Sequence, residues 1–372
     1  MNFSMNEVQE MLADSIEKFI ANDYDFDTRQ KYAGSDRGYS DAVWQQFAEL
    51  GWTAVAFDED DGGFGGNAID TMVIMERLGR GLIVEPYLAN VVLAGGILKR
   101  AASDAQKEQW LAPILAGELQ ATLAFVEPQA RYDIADTLTI AKQDGDDWIL
   151  DGAKGLVANG GNAELLIVPA RTAGELDDED GITLFAVNAS SDGVSLESYA
   201  TIDGLRAAEL SLQGVKADAV IGEVGAGFAA LTDTIDDAIL AVSAEALGIM
   251  NVLTEKTIEY SKSRVQFGVP ISSFQALQHR MVDMYTSCEQ TRSLLMWATM
   301  SVANDEEVDR AISSIKYQIG TAGKLVAEEA VQLHGGMGVT WELDVAHYFK
   351  RLIAITQMLG SADWHLDRLA AG

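Results

Sequence analysis

The sequence is poor in the residues that build disulfide scaffolds and metal centres, with one cysteine and four histidines among 372 residues. A lone Cys288 cannot form an intramolecular disulfide, which favours a reducing compartment, and its helical surroundings predict a buried thiol. The histidines lie far apart and match no metal-binding spacing, so we predict that there is no metal site. They are His279, His334, His347 and His365.

Basic residues are also scarce, with 26 lysines and arginines against 57 aspartates and glutamates and a net charge of −31. A surface this acidic repels the phosphate backbone, which argues against nucleic acid as a partner. The N-terminus lacks the basic and apolar pattern of a secretion signal, and no apolar stretch approaches the roughly 20 residues of a membrane span. These absences predict a cytoplasmic protein with no membrane span.

The hydrophobic period changes twice along the chain. It is helical up to about residue 120, alternates with a period of two from about 121 to 220, and becomes helical again after Gly227, in four long segments. This pattern predicts an α+β fold with an N-terminal helical domain over 1–120, a middle antiparallel β-domain over 121–222 and a C-terminal four-helix bundle over 223–372. Because helical and strand runs are segregated, a doubly wound parallel sheet is disfavoured.

Local signals position elements within these domains. Ser40 and Ser103 are candidate helix N-caps, because each precedes an acidic residue and an apolar helical pattern. A turn at 144–145 separates two alternating segments, which predicts a hairpin joining 137–140 to 148–150. Further strands are predicted at 165–168, 182–187 and 208–212.

Two segments of the C-terminal part carry residue types suited to a flat, charged ligand. In SRVQFGVPISSFQALQH, residues 263–279, Arg264 offers a planar charged fork that fits pyrophosphate, and Phe267 offers a ring face three residues later. The same segment has a plainer interpretation, in which Arg264 forms a surface ion pair and Gln275 caps a helix.

In VQLHGGMGVT, residues 331–340, Gly335 and Gly336 have no Cβ, so that a ligand or another backbone can approach closely. Gln332 adds an amide that both donates and accepts. A glycine pair at this position is also typical of a helix C-cap. Because the glycines follow a helix rather than a strand, a dinucleotide-binding Rossmann fingerprint is disfavoured.

Taken together and in this order, the two segments resemble the flavin-binding segments of the acyl-CoA dehydrogenase family. The resemblance covers nearly the whole chain, including the stretches 49–81, 123–133, 148–171 and 222–228. The ending at 348–370 is similar to that of the small subunit of pimeloyl-CoA dehydrogenase and related subunits of heteromeric bacterial acyl-CoA dehydrogenases.

The resemblance implies an FAD-dependent enzyme that dehydrogenates an acyl-CoA thioester at its α and β carbons. It implies electron-transfer flavoprotein as the electron acceptor, and either a homologous large subunit or a second copy of this chain in a dimer or tetramer. By resemblance, six residues reach the flavin of a partner chain: Arg264, Phe267, Gln275, Gln332, Gly335 and Gly336. Three more, Phe125, Val126 and Ala158, would contact the isoalloxazine of the chain's own flavin.

The isoalloxazine side departs from the family pattern. Arg131 and Tyr132 stand where a glycine and a serine are usual, and Leu156 to Ala158 replace an aromatic-x-threonine. Losing the threonine hydroxyl removes a side-chain hydrogen bond, while backbone contacts from Phe125 and Val126 would persist.

The catalytic base is a further departure. At 358–360, where many members carry Tyr-Glu-Gly, no carboxylate is present, and the alternative position falls at Ala238 and Ile239. Asp237 is one residue away and Asp236 is next to it, so either is a candidate base, and Asp237 is the one we select. The plainer interpretation is a solvated first-turn aspartate favoured by the helix dipole. Three hypotheses follow: a subunit that works with a partner's base, a structural subunit with half a flavin site, or a self-sufficient homo-oligomer using Asp237.

Overall fold

A computed structural model describes residues 5–371 of the chain. The helices are α1 Glu7–Asp23, α2 Phe26–Ala33, α3 Asp41–Glu49, α4 Ala68–Gly81, α5 Gly96–Ala101, α6 Asp104–Gln106, α7 Ala112–Leu115, α8 Phe228–Ser263, α9 Gln275–Asn304, α10 Val308–Gln318, α11 Lys324–His334, α12 Asp344–Gln357 and α13 Ala362–Ala371. Segments of π-helix at Leu88–Gly95, Lys107–Leu111 and Ile319–Gly323 run directly into α5, α7 and α11.

The strands are β1 Ala121–Leu123, β2 Ile140–Asp144, β3 Asp147–Ala158, β4 Leu165–Arg171, β5 Ile182–Asn188, β6 Val194–Ala200, β7 Arg206–Lys216, β8 Ala219–Ile221, β9 Val265–Gln266 and β10 Val269–Pro270. Helices precede and follow the strands β1 to β8, and the two-residue strands β9 and β10 lie between α8 and α9, so the predicted α+β fold class is confirmed.

The described chain divides into two compact units. The first consists of the chain up to Gln30, Asn67–Ile83 and everything from Ile239 onward. The second consists of Lys31–Gly66 and Val84–Ala238, and it contains the main sheet.

The sheet of the second unit has the strand order β6-β7-β3-β2-β4-β5-β8, with β1 paired to β4. The predicted hairpin is present as β2 and β3, with Asp144 opposite Asp147. The sheet is not purely antiparallel, however, because β1 runs parallel to β4, and β2 meets β4 in parallel where Ile140 pairs with Arg171. Its apolar face buries Leu150, Val157, Leu166, Val168, Phe185, Val187, Leu210, Leu212 and Val215.

Two predicted helix caps are confirmed, and one strand begins later than predicted. Ser40 and Ser103 accept hydrogen bonds from the amides of Val43 and Gln106 at the starts of α3 and α6. The segment 137–139 lies outside β2. Its amides at Leu138 and Thr139 donate to the carboxylate of Glu127, at 2.7 and 3.0 Å, rather than to a neighbouring strand.

α8 is 36 residues long, and its part from Ile239 onward belongs to the first unit. The prediction that no apolar stretch approaches membrane-spanning length is wrong: α8 is long and apolar enough by composition, and 89% of that stretch is buried inside the protein. Glycines allow close helix packing here, because a Cβ on Gly248 would lie 2.0 Å from the carbonyl oxygen of Glu76. Cys288 in α9 is buried, as predicted, and burial raises the pKa of its thiol.

The later helices of the first unit follow the predicted pattern with one addition. After α8 and α9, the segment 308–334 continues from α10 through a π-helical stretch into α11, and α12 follows as the fourth long helix. The short α13 packs against α10 and was not anticipated.

Candidate functional site

In the first unit, the segment after α8 forms a tight two-residue hairpin that presents Phe267. Val265 pairs with Pro270 and Gln266 with Val269, which leaves Phe267 and Gly268 as the turn residues with φ of 53° and 82°. The left-handed region costs a non-glycine residue about 1–2 kcal/mol. Phe267 is nonetheless 93% exposed. A strained backbone that holds an aromatic ring in solvent is typical of a binding residue.

The second glycine-containing segment begins where α11 ends. Gly335 has φ of 60°, and its amide donates to the carbonyl oxygen of Gln332, so it does close the helix as a C-cap. No atom lies within 4 Å of the position that a Cβ would take on Gly335 or Gly336. The backbone of both glycines is therefore accessible to a ligand, and Gly335 also caps α11.

An aromatic contact brings these two segments together. The rings of Tyr260 in α8 and His334 in α11 stack with centroids 4.4 Å apart and planes at 25°. The amide of Arg264 donates to the carbonyl oxygen of Tyr260. Arg264 therefore lies one helical turn after Tyr260, directly beyond the end of α8. His334 Nδ1 lies 2.8 Å from the carbonyl oxygen of Ala330 and must carry the hydrogen, because a carbonyl only accepts.

The polar side chains predicted for the cofactor lie on the surface of this unit. Arg264, Gln275 and Gln332 are all exposed. Over residues 5–371, Arg264 forms no ion pair, and the α9 N-terminus receives no side-chain cap from its flanking residue. Neither of the plainer interpretations of these side chains is realised, which leaves their donors available to a ligand.

In the second unit, the segment after β1 is anchored by a buried ion pair. Lys154 Nζ lies 2.6 Å from Glu127 Oε1, and the two side chains are 0% and 3% exposed. Burial alone would raise the pKa of Glu127, but the charge and hydrogen bond of Lys154, with side-chain hydrogen bonds from Thr139 and Gln129, lower it to about 2. The segment is tied to β3 again where the amide of Gly155 donates to the carbonyl oxygen of Val126, at 2.9 Å.

This anchoring leaves backbone donors where the resemblance places the flavin ring. The amides of Phe125 and Val126 donate to no acceptor in the described part of the protein, and both residues are half-buried. Ala158 contributes no hydroxyl, and its carbonyl oxygen already accepts from Thr122 Oγ1 at 2.7 Å. The second unit therefore offers a flavin the backbone amides of Phe125 and Val126. At Ala158 it lacks a side-chain donor.

The strand next to this segment is irregular. β3 and β7 shift register between Lys154 and Val157, and Leu156 adopts φ of 49° while remaining 60% exposed. Glu209 supports the bulge, since its Oε1 accepts from Tyr199 Oη at 2.7 Å and from the amide of Leu156 at 3.4 Å. Arg131 likewise has positive φ, at 52°, and is exposed.

The candidate base Asp237 is engaged by an arginine of its own unit. Arg100 Nη2 lies 2.5 Å from Asp237 Oδ2, and the two side chains are 27% and 30% exposed. Arg100 also approaches Asp233 at 4.0 Å. The guanidinium occupies Asp237 Oδ2, one of the two oxygens from which a base would act, so this geometry favours a structural role over that of a base.

Sequence reasoning missed the buried charges of both units. Lys154 and Glu127 are one example, and Arg351, which donates to both oxygens of Glu245 at 2.6 and 2.8 Å, is another. Lys316 is fully buried, and burial lowers its pKa to about 7. A lysine or arginine at an apolar position of a helical or alternating pattern was the available signal in each case. Among the described residues, no group of three or more His, Cys, Asp or Glu could hold a metal ion.

Comparison with known proteins identifies the class. Three family models match consecutive parts of the chain: the acyl-CoA dehydrogenase N-terminal domain over 6–118, middle domain over 122–215 and C-terminal domain over 225–372. The short-chain specific acyl-CoA dehydrogenase of Megasphaera elsdenii is 32% identical over 326 residues, which cover 84% of each chain.

Two solved structures share the fold over its full length. The ChsE4-ChsE5 complex from Mycobacterium tuberculosis matches with a TM-score of 0.91 and 27% identity, over 100% of this chain and 98% of that one. The FAD complex of PigA matches with a TM-score of 0.93 and 25% identity, over 100% and 98%. The chain therefore belongs to the acyl-CoA dehydrogenase family. It is a flavoprotein whose cofactor is FAD, and its chemistry belongs to the FAD-dependent oxidation of acyl-CoA thioesters.

Proposed function

We propose that this chain is the small subunit of a heteromeric acyl-CoA dehydrogenase and that its first unit contributes binding residues to the flavin of the partner chain. The observation that carries the proposal is the exposed and strained Phe267, next to Arg264 with no ion pair in the described chain. Side chains held outward in this way suit a cofactor that a second chain brings to them. That one of the solved relatives is the ChsE4-ChsE5 complex supports the same arrangement.

Each residue of this half-site has a defined task. Arg264 would pair with the pyrophosphate, Phe267 would stack against a flat ring, and Gln332 would hydrogen-bond a polar edge. Gly335 and Gly336 would let the nucleotide approach the backbone, because a side chain there would occupy that space. Gln275, the first residue of α9, would add an amide donor at the edge of the site.

The second unit would contribute less to its own flavin. The amides of Phe125 and Val126 remain suitable donors to the ring, whereas Ala158 supplies no side-chain hydrogen bond. Bound FAD supplies a hydride acceptor for the β-carbon of the acyl-CoA. A carboxylate must take the α-proton as the double bond forms, and in this chain the two usual positions carry Leu359 and Ala238.

The partner's carboxylate is therefore the base in this proposal, and electrons leave through electron-transfer flavoprotein, the acceptor that the family resemblance implies. The alternative is a homo-oligomer in which Asp237 is the base; its ion pair with Arg100 disfavours this. A structural subunit that holds half a flavin site without turnover is the remaining alternative. In each case we propose a cytoplasmic location.

Reconstitution separates these alternatives. The purified chain should retain little FAD and oxidise no acyl-CoA when alone, and it should gain both properties when co-expressed with its cognate chain, at one flavin per pair. Robust turnover by the isolated chain would replace the heteromer proposal with the homo-oligomer. A yellow complex that oxidises no acyl-CoA, from short to bulky, would support the structural subunit instead.

A further inference from the structure

Two surface segments of the first unit carry no acidic side chain. Residues 263–279 and 331–341 contain no aspartate or glutamate, although 57 of the 372 residues of the chain are acidic. The stacked rings of Tyr260 and His334 bring the starts of the two segments together. We call the exposed residues of both segments the acid-free surface. On a chain with a net charge of −31, such a surface lets a second acidic protein approach with little repulsion.

The acid-free surface also exposes apolar side chains. Three belong to the hairpin of β9 and β10 and three to the loop between α11 and α12, namely Val265, Phe267, Val269, Met337, Val339 and Trp341. Single exposed apolar residues are common on soluble proteins, but several in adjoining segments are typical of a surface that another molecule covers. An anionic membrane is disfavoured as that molecule, because it repels a protein of this charge.

Trp341 is held in place although it is 64% exposed. Lys350 Nζ lies over its ring, 4.4 Å from the centroid, and the ring of His347 meets it edge-on, at 4.6 Å and 72°. His347 Nε2 also lies 3.0 Å from the carbonyl oxygen of Trp341 and carries the hydrogen, because a carbonyl only accepts. Residues of α12 therefore fix both the side chain and the backbone of Trp341.

His347 is itself well packed, which makes Trp341 a preformed anchor. The ring of His347 is buried and meets the ring of Phe26 in α2 edge-on, at 5.0 Å and 63°. An exposed tryptophan that is already ordered loses little conformational entropy when a partner covers it. Tryptophan is also among the residues that most often dominate the affinity of a protein interface.

The position of the loop indicates which molecule covers it. Met337 directly follows Gly335 and Gly336, whose open backbone we assign to the flavin of the partner chain. A cofactor held by a second chain brings that chain's own atoms to the residues beside these glycines. The hairpin leads to the same chain, because Arg264 and Phe267 belong to the same half-site.

We propose that Trp341, positioned by His347, is the anchor through which the acid-free surface docks on the partner dehydrogenase chain. The proposal rests on the proposed function and adds to it a contact between the two proteins that does not need the flavin. The matching surface of the partner is apolar, with a recess that admits an indole ring.

Association of the two purified full-length chains, measured by equilibrium titration without FAD, tests the anchor. Trp341→Ala should raise the dissociation constant about thirtyfold or more, the effect typical of a residue that dominates an interface. Trp364→Ala is the matched control, because Arg368 lies over that ring at 5.0 Å and His365 meets it edge-on at 4.7 Å. Trp364 lies outside the acid-free surface, so the dissociation constant of this variant should stay within about twofold of the wild type. Equal affinity of Trp341→Ala and the wild type would overturn the proposal.

Addition of FAD distinguishes a protein anchor from a cofactor ligand. Arg264→Ala should associate normally without FAD and lose affinity only for the cofactor, whereas Trp341→Ala should associate poorly in both conditions. If Trp341→Ala impaired association only when FAD is present, Trp341 would contact the flavin, and the docking proposal would be wrong. A wild-type pair that does not associate without FAD would refute it as well.

Two substitutions of His347 test the positioning. Leucine cannot donate to the carbonyl of Trp341, so His347→Leu should speed amide hydrogen exchange in 335–343 and weaken association about threefold, because the anchor is then ordered only on binding. His347→Gln keeps an N–H and should restore most of the affinity. Unchanged affinity in a folded His347→Leu would show that His347 does not position the anchor.

Failure of this proposal is distinct from failure of the proposed function. A complex that depends on Trp341 but oxidises no acyl-CoA would keep the docking surface and refute the dehydrogenase. An active complex whose affinity is unaffected by Trp341→Ala would do the reverse. If Trp341→Ala instead abolished self-association of the chain, or its binding to neutral phosphatidylcholine vesicles, the surface would have another occupant and the choice of partner would be overturned.

Discussion

Lys154 and Glu127 form an ion pair of 2.6 Å inside the β-domain, with the lysine side chain 0% exposed and the glutamate 3%. The other oxygen of Glu127 accepts from the amide of Leu138, so one carboxylate joins three backbone segments: the stretch after β1, the segment just before β2 and strand β3. These segments carry the backbone amides that we assign to the flavin. The pair therefore supports the site without touching the cofactor.

Lys154→Met should destabilise the protein strongly. It leaves a buried carboxylate without its counter-charge, and removal of one partner from a buried pair typically costs about 3–5 kcal/mol. The double variant with Glu127→Gln should recover part of this loss, because no charge is then stranded. Chemical unfolding of the three proteins checks the prediction, with Lys216→Met as control: that lysine pairs with Asp147 at 2.7 Å but is 62% exposed, and its loss should cost less than about 1 kcal/mol.

The same ion pair makes the stability of the protein sensitive to acid. The folded pKa of Glu127 is about 2 and its ordinary value is 4.5, so its contribution to stability is complete above pH 4.5 and is lost as the pH falls toward 2. In the double variant with Lys154→Met and Glu127→Gln, this part of the acid sensitivity should be absent. An unchanged acid profile would show that the ionised carboxylate is not what the fold requires.

Arg264→Ala should weaken retention of FAD about tenfold or more, because a hydrogen bond to a charged group contributes about 1.5–3 kcal/mol. The fold should be unaffected, since the side chain is exposed and forms no ion pair in the described chain. Arg310→Ala is the control, as Arg310 is 71% exposed and lies in the same unit. Equal FAD affinity in the two variants, measured in the complex by equilibrium dialysis, would remove Arg264 from the site.

Gly336→Val should expel the flavin while leaving the helices intact. No protein atom lies within 4 Å of the added Cβ, so any clash must come from a bound ligand. Gly335→Val differs, because φ of 60° strains any side chain and would weaken the end of α11 as well. Circular dichroism and flavin absorbance on the same samples distinguish the two. If Gly336→Val retained both flavin and normal helicity, the glycine pair would act only as the C-terminal cap of the helix.

Local signals in the sequence predicted local structure correctly. Ser40 and Ser103 cap helices because a hydroxyl before an amphipathic run satisfies free amides whatever surrounds it. The hairpin of β2 and β3 follows from its turn and alternation in the same way. The parallel pairing of β1 with β4 was not predictable from such signals, because residues 121 and 165 meet only through the tertiary fold.

The partners of the buried charges were unpredictable for a related reason. Lys154 stands at a buried position of the alternation in β3, but the carboxylate that pairs with it lies 27 residues earlier. Lys316 stands on the buried face of α10, but its acceptors are carbonyls at the end of α12 and in the turn at 360. The candidate flavin residues were recognised by family resemblance, whereas the strain at Phe267 and the openness around Gly335 are visible only in three dimensions.

Lys316→Met should remove a rise in stability at alkaline pH. The folded pKa is lowered to about 7 from 10.5, so between these values the unfolded chain binds a proton that the folded chain has released. Stability therefore increases from about pH 7 to 10.5 in the wild type, and this increment should vanish in the variant. His365 stays neutral throughout this range because its pKa is about 4. Lys324→Met, which removes an exposed lysine, should keep the rise in stability with pH. If the wild type, Lys316→Met and Lys324→Met all showed the same rise, its assignment to Lys316 would be refuted.

Asp237→Asn should have little effect on the complete enzyme. The residue is bound by Arg100 at 2.5 Å and is 30% exposed, so loss of its charge should cost less than about 1 kcal/mol of stability. If the partner supplies the base, kcat should stay within about twofold of the wild type, whereas removal of a true general base lowers the rate by about 10²–10⁴. Asp233→Asn serves as control, because Asp233 faces the same arginine at 4.0 Å. A collapse of kcat in Asp237→Asn alone, with normal FAD content and melting temperature, would make Asp237 the base and the chain self-sufficient.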